Sequence, residues 1–318
     1  MRAGSAAMRI GVIGTGHWGL NTHAVGLLRH PDVHLVGVWG RTPTSTSRAA
    51  STLGVRGYGR LADLLDDVDA VALAVPPDVQ ADLAVLAAQR GCHLLLDKPI
   101  ALDVPAAEGL ARAIAAAGVA ATVFFTPLYE PAVAAWVRDH AGEAWVAARI
   151  RMFSSIFDPG SPYAGSHWRR ERGALWDVGP HALAVATRVL GPIDSVVARR
   201  GVGNSTDLVA RHTSGATSSI SLSLTAPAAV CGSDWILYGD RGAMTVPVSR
   251  CTSSEAYASC VTDLVRSARA GLVAQCDIGL GLSVMRGLSA AEASANTFRP
   301  TVGEDGRPSP DRDREASL

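Results

Sequence analysis

The sequence predicts an α/β protein built on a doubly wound parallel sheet, with a strand-rich domain behind it. Three observations carry that expectation. The turn Gly14-Thr15-Gly16-His17-Trp18-Gly19 closes an apolar run, short apolar runs alternate with helical stretches through the first half, and strands dominate the second half. At 318 residues the chain exceeds the ~250–300 at which single cores stop growing, so two domains are expected. Their boundaries are placed at 1–122 and 123–300. A disordered tail is expected over 301–318, where Pro and charged residues leave almost nothing to bury.

The run 8–13 reads as a buried strand, apolar apart from Arg9, and 20–29 as a helix stopped at His30-Pro31. Strand, glycine turn and helix in that order are the context of a dinucleotide fingerprint. Gly14 permits the tight turn and Gly16 lets a pyrophosphate approach the backbone. Gly19 lets the helix pack close on the strand, its N-terminal amides toward the phosphates. Further strands are expected over 34–39, 69–75, 93–96 and 119–125, and helices over 46–53, 61–65, 79–90 and 105–117. Ligands of such sheets bind beyond the carboxyl ends of the strands, which makes the residues after each strand the candidates.

After the second strand, Gly40-Arg41-Thr42 stands where an NAD-binding protein usually carries an acidic residue for the ribose 2′-hydroxyl. No Asp or Glu is there, since Asp32 precedes the strand. Arg41 and Thr42 would instead pair with a 2′-phosphate, which predicts NADP(H) over NAD(H); the plain alternative is a solvated arginine. After the third strand, Pro76-Pro77 forms a rigid wall beside the crevice. After the fourth comes Asp97-Lys98-Pro99. A lysine following an apolar strand points into the crevice, or else pairs with Asp97 at the sheet edge.

Composition excludes several classes. The 29 basic residues balance 29 acidic ones, so no bulk field draws the chain to nucleic acid or anionic lipid. The five cysteines include no C-x-x-C pair, which suggests neither a zinc site nor a disulfide framework, and reduced thiols suit a cytoplasmic location. Cys92 reads as a buried hydrophobe. Residues 1–7 lack the apolar core of a signal peptide. The most apolar stretch, 113–125, is shorter than the ~18 residues of a membrane span and is broken by Gly118. A soluble protein is expected.

In the second half, 132–140 reads as a helix, 143–153 as a strand, and 154–172 as a long irregular loop carrying Tyr163, His167, Trp168, Arg169 and Arg170. From 177 to 190 the spacing is helical, ending at Gly191-Pro192. Asp177 and His181, four apart, then share a helix face, where the carboxylate would orient the imidazole and favour its protonated form. Strands are expected over 195–200, 207–213, 216–225, 234–239 and 243–248, and helices over 260–270 and 280–295. Ile220, Leu222 and Leu224 alternate with Ser219, Ser221 and Ser223, giving one packed face and one small polar face.

Taken together, Gly14-x-Gly16-x-x-Gly19, Pro76-Pro77, Asp97-Lys98-Pro99, Trp168-Arg169 and Asp177-Val178-Gly179-Pro180-His181 resemble the glucose–fructose oxidoreductase/inositol dehydrogenase family, Gfo/Idh/MocA. The resemblance covers roughly residues 8–300. It departs at Asp97, where the family usually carries Glu, and at Gln80, where it often carries His. It implies a Rossmann domain followed by an α+β domain whose open, mainly antiparallel sheet makes dimers or tetramers. It also implies a nicotinamide cofactor, contacted by the glycine turn with Thr15, His17 and Trp18 and by Arg41, Thr42, Pro76, Pro77, Gln80, Asp97, Lys98, Trp168 and Arg169. The substrate implied is a sugar, cyclitol or related alcohol or ketone.

The chemistry expected is reversible hydride transfer, with Lys98 hydrogen-bonded to the substrate oxygen and His181 moving the proton under the orientation of Asp177. Phe125, Tyr129, Tyr163 and Arg170 are candidates for the substrate wall. Reduction of an imine or conjugated bond on the same scaffold is one alternative. A non-catalytic NADP-binding regulator is another, although such a binder has no need of Lys98, Asp177 and His181 together.

Overall fold

The computed structural model describes residues 6–248 and 250–297, so the tail expected over 301–318 lies outside the described residues. Strand β1 (Met8–Ile13) is buried except at Arg9, whose guanidinium pairs with Asp69. Gly14 turns the chain at φ +126, and an added Cβ would stand 2.3 Å from the carbonyl oxygen of Ala74. The expected helix over 20–29 is not regular. A π turn over Gly19–Ala24 leads into α1 (Val25–Leu28), and it carries His23 into the core.

The alternation continues through β2 (Val33–Trp39), α2 (Pro43–Leu53), β3 (Arg56–Gly57), α3 (Leu61–Asp66) and β4 (Ala70–Leu73). It is completed by α4 (Pro77–Gln89), β5 (His93–Asp97), α5 (Val104–Ala117) and β6 (Ala121–Phe124). The strands run parallel in the order β3-β2-β1-β4-β5-β6, the doubly wound arrangement that reverses between β1 and β4. Exposed β3 has no apolar run and was invisible to pattern reading. Helix ends follow local chemistry. Thr42 and Asp103 cap α2 and α5 by accepting from Ser45 N and Ala106 N, and left-handed Gly54 and Gly118 close them.

The second half contains α6 (Thr126–Tyr129), α7 (Pro131–His140), β7 (Trp145–Phe153), α8 (His167–Asp177) and α9 (Gly179–Leu190). Then come β8 (Ile193–Arg200), β9 (Thr206–His212), β10 (Thr217–Ser223), β11 (Gly232–Gly239), β12 (Gly242–Thr245), α10 (Ser253–Ala270) and α11 (Ile278–Thr297). Its strand order is β12-β11-β7-β10-β9-β8, antiparallel except where β7 meets β10. Leu208, Ala210, Ile220 and Leu222 face the helices, while Val197, Val209 and Tyr238 lie exposed on the other face.

Two local expectations are corrected here. The irregular loop ends at Ser166 rather than 172, because α8 begins at His167 and is broken inside by Gly173 at φ 68. Asp177 and His181 therefore do not share one helix: Asp177 ends α8, and His181 lies in the first turn of α9. Late in the chain, α10 returns to pack on α1, β5 and β6 of the first sheet. Among the described residues no helix is long and apolar enough to cross a membrane.

The α1–α10 contact is tight at Gly26, where a Cβ would stand 2.8 Å from Tyr257 Cδ1 and 3.0 Å from the Ser254 carbonyl oxygen. At Gly109 in α5 the nearest atom would be Arg112 Nη2 at 3.9 Å. Gly109→Ala should raise stability by ~0.5–1 kcal/mol through helix propensity, and Gly26→Ala should lower it by ~1–3 kcal/mol through overpacking. Urea denaturation of both variants checks this, and equal effects would show that the α1–α10 seam has room to spare.

Candidate active site

The carboxyl ends of β1, β4 and β5 face the 154–166 loop and α8 across a cavity of about 830 Å³. Gly16, His17, Trp18, Pro76, Pro77, Asp97 and Lys98 line one side. Tyr163, Trp168, Arg169, Asp177 and His181 line the other. The glycine turn fits a bound dinucleotide on two counts. A Cβ on Gly16 would meet nothing within 4 Å, so it would occupy the cleft itself. A Cβ on Gly19 would stand 3.0 Å from Ala74 Cβ, which is the close helix–strand approach the fingerprint needs.

At the centre, Lys98 Nζ donates to the Asp177 carbonyl at 2.6 Å and to its Oδ1 at 3.0 Å. Arg169 Nε approaches the other carboxylate oxygen at 3.1 Å, and its guanidinium lies over the Tyr163 and Trp168 rings at 4.6 and 4.5 Å. Burial alone would raise the Asp177 carboxyl, but Lys98 and Arg169 outweigh it and hold it below the ordinary carboxylate value. The expected orientation of His181 by Asp177 is not seen as a hydrogen bond among the described residues; the carboxylate is held by Lys98 and Arg169 instead. His181 is pushed down to about 3 by burial, reinforced by Lys98 and opposed by Asp177 and Asp97. Its imidazole is neutral, and the buried Nδ1 has no hydrogen-bond partner among the described residues.

A layer beneath the cleft holds the Lys98 loop. Asp97 Oδ1 accepts from Lys98 N at 2.7 Å, and Oδ2 lies 3.2 Å from Nε2 of buried His23, whose ring stacks on Tyr257 at 4.1 Å. Burial would raise Asp97, but His23 and Lys98 bring it below its ordinary value. Gln80 is a correction. It is 1% exposed and its amide clamps the loop, donating to the Asp97 and Pro99 carbonyls at 2.8 and 3.0 Å and accepting from Asp97 N at 2.9 Å. It does not line the cleft.

Three expected substrate-wall residues are corrected as well. Phe125 is buried in the core, and Tyr129 is buried with its hydroxyl on Asp263 Oδ2 at 2.9 Å. Arg170 is exposed and turned to the Phe157 ring and the Ala164 carbonyl, away from the cavity wall. Tyr163 alone of that set lines the cleft, edge-on to His17 with ring centroids 6.0 Å apart. Near β2, Thr42 spends its hydroxyl on Ser45 as the α2 cap, and Arg41 beside it is exposed. Thr15 sits against Gly40 beneath the turn. Cys92 is buried and its thiol is pushed up to about 11, chiefly by that burial, as an inert core residue should be. His23 and Tyr257 were missed: a histidine inside an apolar helix gives no signal of its partner 74 residues away.

Residues 8–125 match an oxidoreductase family with an NAD-binding Rossmann fold, and residues 146–245 match the GFO/IDH/MocA C-terminal domain. The chain is 31% identical over 194 residues to the dTDP-3,4-didehydro-2,6-dideoxy-alpha-D-glucose 3-reductase of Streptomyces antibioticus, covering 59% of this chain and 58% of that one. It is 35% identical over 104 residues to the UDP-N-acetylglucosamine 3-dehydrogenase of Acidithiobacillus ferrooxidans, 32% of each chain. The matches thus span less than two thirds of these relatives. In fold it resembles GenD2 from gentamicin A biosynthesis, solved in complex with NAD, with a TM-score of 0.80 at 21% identity over 93% of this chain and 96% of that one.

The depressed His181 has a consequence for stability. Between its ordinary value of 6.5 and about 3, the unfolded chain binds a proton at this site that the folded chain does not. The contribution is therefore complete above that window and is lost as pH falls through it. His181→Asn should lose less stability than the parent between about pH 7 and pH 4, read as urea midpoints. Parallel curves would mean that His181 is not held neutral by the fold.

Proposed function

The chain belongs to the Gfo/Idh/MocA family of oxidoreductases, and from that premise we propose that it transfers hydride between a nicotinamide cofactor and a sugar, cyclitol or related polyol carbon. The observation that carries this reading is the buried meeting of Lys98, Asp177 and His181 on the wall of the cleft that Gly16 opens. The named relatives that act on sugars support the substrate class.

When bound, the cofactor supplies the carbon that gives or takes hydride. Gly16, His17, Trp18, Pro76 and Pro77 hold it, and Trp168 and Arg169 close the far side. Arg41 favours NADP(H), since a guanidinium fork matches a 2′-phosphate and no carboxylate stands there to prefer a ribose hydroxyl.

Lys98 Nζ has three donors, of which Asp177 takes two; the third serves the substrate oxygen. In reduction that contact stabilises the negative charge gathering on the oxygen. Asp177 fixes the lysine in place, a different task from orienting His181. Neutral His181 is in the state that accepts the carbinol proton in oxidation and returns it in reduction. The bare face of the second sheet, with Val197, Val209 and Tyr238, supports assembly as a homodimer or homotetramer.

Lys98→Ala should lower kcat by ~10²–10³-fold while cofactor still binds, by analogy with loss of one charge-stabilising donor. Unchanged turnover would remove Lys98 from the reaction. Arg41→Ala should weaken NADPH binding about tenfold or more and leave NADH nearly unaffected, as fluorescence titration would read. Equal losses for both would defeat the 2′-phosphate assignment.

A further inference from the structure

Lys98 is the only lysine in the chain, so a single side-chain ammonium serves the cleft. Asp177 holds that ammonium, but the backbone from which it springs is held from below. His23 belongs to this lower layer. It is fully buried, does not line the cleft and has no part in the chemistry above.

Asp97 has a short side chain, and its two oxygens serve different neighbours. Oδ1 accepts from the Lys98 amide at 2.7 Å, a contact with the next residue in the chain. Oδ2 lies 3.2 Å from His23 Nε2, a contact across 74 residues. Burial works to raise Asp97, and the hydrogen bond with His23 is the largest of the influences that bring it below its ordinary value. A carboxylate only accepts, so the hydrogen between the two belongs to Nε2. The last torsion of an aspartate is broad and two-fold, and one hydrogen bond alone leaves the carboxylate free to turn. A donor on Oδ2 fixes its plane, and with it the acceptor that the Lys98 amide meets.

The histidine ring is held for this one contact. Tyr257 stacks on it at 4.1 Å and 22°, and Phe124 and Trp18 meet it edge-on at 6.2 and 6.4 Å. Its other nitrogen, Nδ1, is buried with no hydrogen-bond partner among the described residues. An unpartnered buried nitrogen is a cost that a leucine of similar size avoids. The π turn that carries the ring is a rare conformation, used mostly as single turns and often at functional sites. A residue kept for packing alone needs neither.

We propose that His23 is a positioning residue for Lys98: by fixing the Asp97 carboxylate it fixes the Lys98 amide, and so the point from which the ammonium reaches the substrate oxygen. The task of that ammonium rests on the hydride-transfer reading; the chain of hydrogen bonds beneath it does not.

Because there is one lysine, the full chain labelled with ¹⁵N-lysine gives one backbone amide cross-peak, that of Lys98. His23→Leu should move that peak upfield and speed its hydrogen exchange about tenfold beyond any loss of global stability, as a weakened charge-assisted hydrogen bond does. His23→Gln, whose amide nitrogen replaces Nε2 as donor, should keep the parent's peak and its exchange to within about threefold. Asp97→Ala should also move the peak upfield. Adding His23→Leu to it should then change exchange by less than about twofold, because the histidine acts through the acid. His23→Phe keeps the ring stack without the donor and gives the same reading if the leucine variant does not fold. An unmoved peak in the variants lacking the donor, a His23→Gln variant no closer to the parent than they are, or additive effects in the double variant overturns the proposal. Neither readout needs cofactor or substrate. Failure here removes the positioning role and leaves the hydride reading standing, whereas unchanged turnover in Lys98→Ala removes the task of the ammonium and leaves the chain of hydrogen bonds intact.

Discussion

Two cations from different halves of the chain converge on one buried carboxylate, and the cleft depends on that meeting. Lys98 follows β5 of the first sheet, while Arg169 and Asp177 belong to α8 of the second half. Removing such ions from water costs several kcal/mol apiece, so the arrangement persists only because each carboxylate oxygen has its own partner. The Lys98 contact with the Asp177 carbonyl adds a second tie across the same gap. A polar strut therefore joins the two halves on the wall of the cleft.

The strut would be loose without the layer below it. Gln80 fastens the backbone on both sides of Lys98, and Asp97 holds the Lys98 amide. His23 and Tyr257 then pack Asp97 from beneath, with Phe124 edge-on to both rings. Tyr257 comes from α10, which is why that helix must return to the first sheet. The lysine is positioned from several separate stretches of chain.

The frame of the molecule was legible because its signals are local. Buried parallel strands read as continuous apolar runs, and Asp103 and Gly118 mark helix ends through their own backbone neighbours, whereas Thr42 reads as a phosphate contact and proves to be a cap. Lys98 stood out because a lysine after an apolar strand has few structural uses, and Asp177 and His181 because a long loop leads to them and their spacing resembles the family's motif. Their partnerships were not legible. Asp177 binds a lysine 79 residues away instead of the histidine four residues on. Tyr129 looks like a wall residue until Asp263, 134 residues later, draws its hydroxyl inward. Helix α8 was hidden because Pro159, Gly160, Pro162 and Gly165 precede it and its first turns are polar.

The π turn over Gly19–Ala24 has an evolutionary consequence. Such a turn is an α-helix with one residue inserted, and each residue of a helix swings its successors by about 100°. The extra residue lets Trp18 face the cleft while His23 faces Asp97 from the same short segment. A lineage that lost one residue here would keep its glycine fingerprint intact and still lose one of those two alignments.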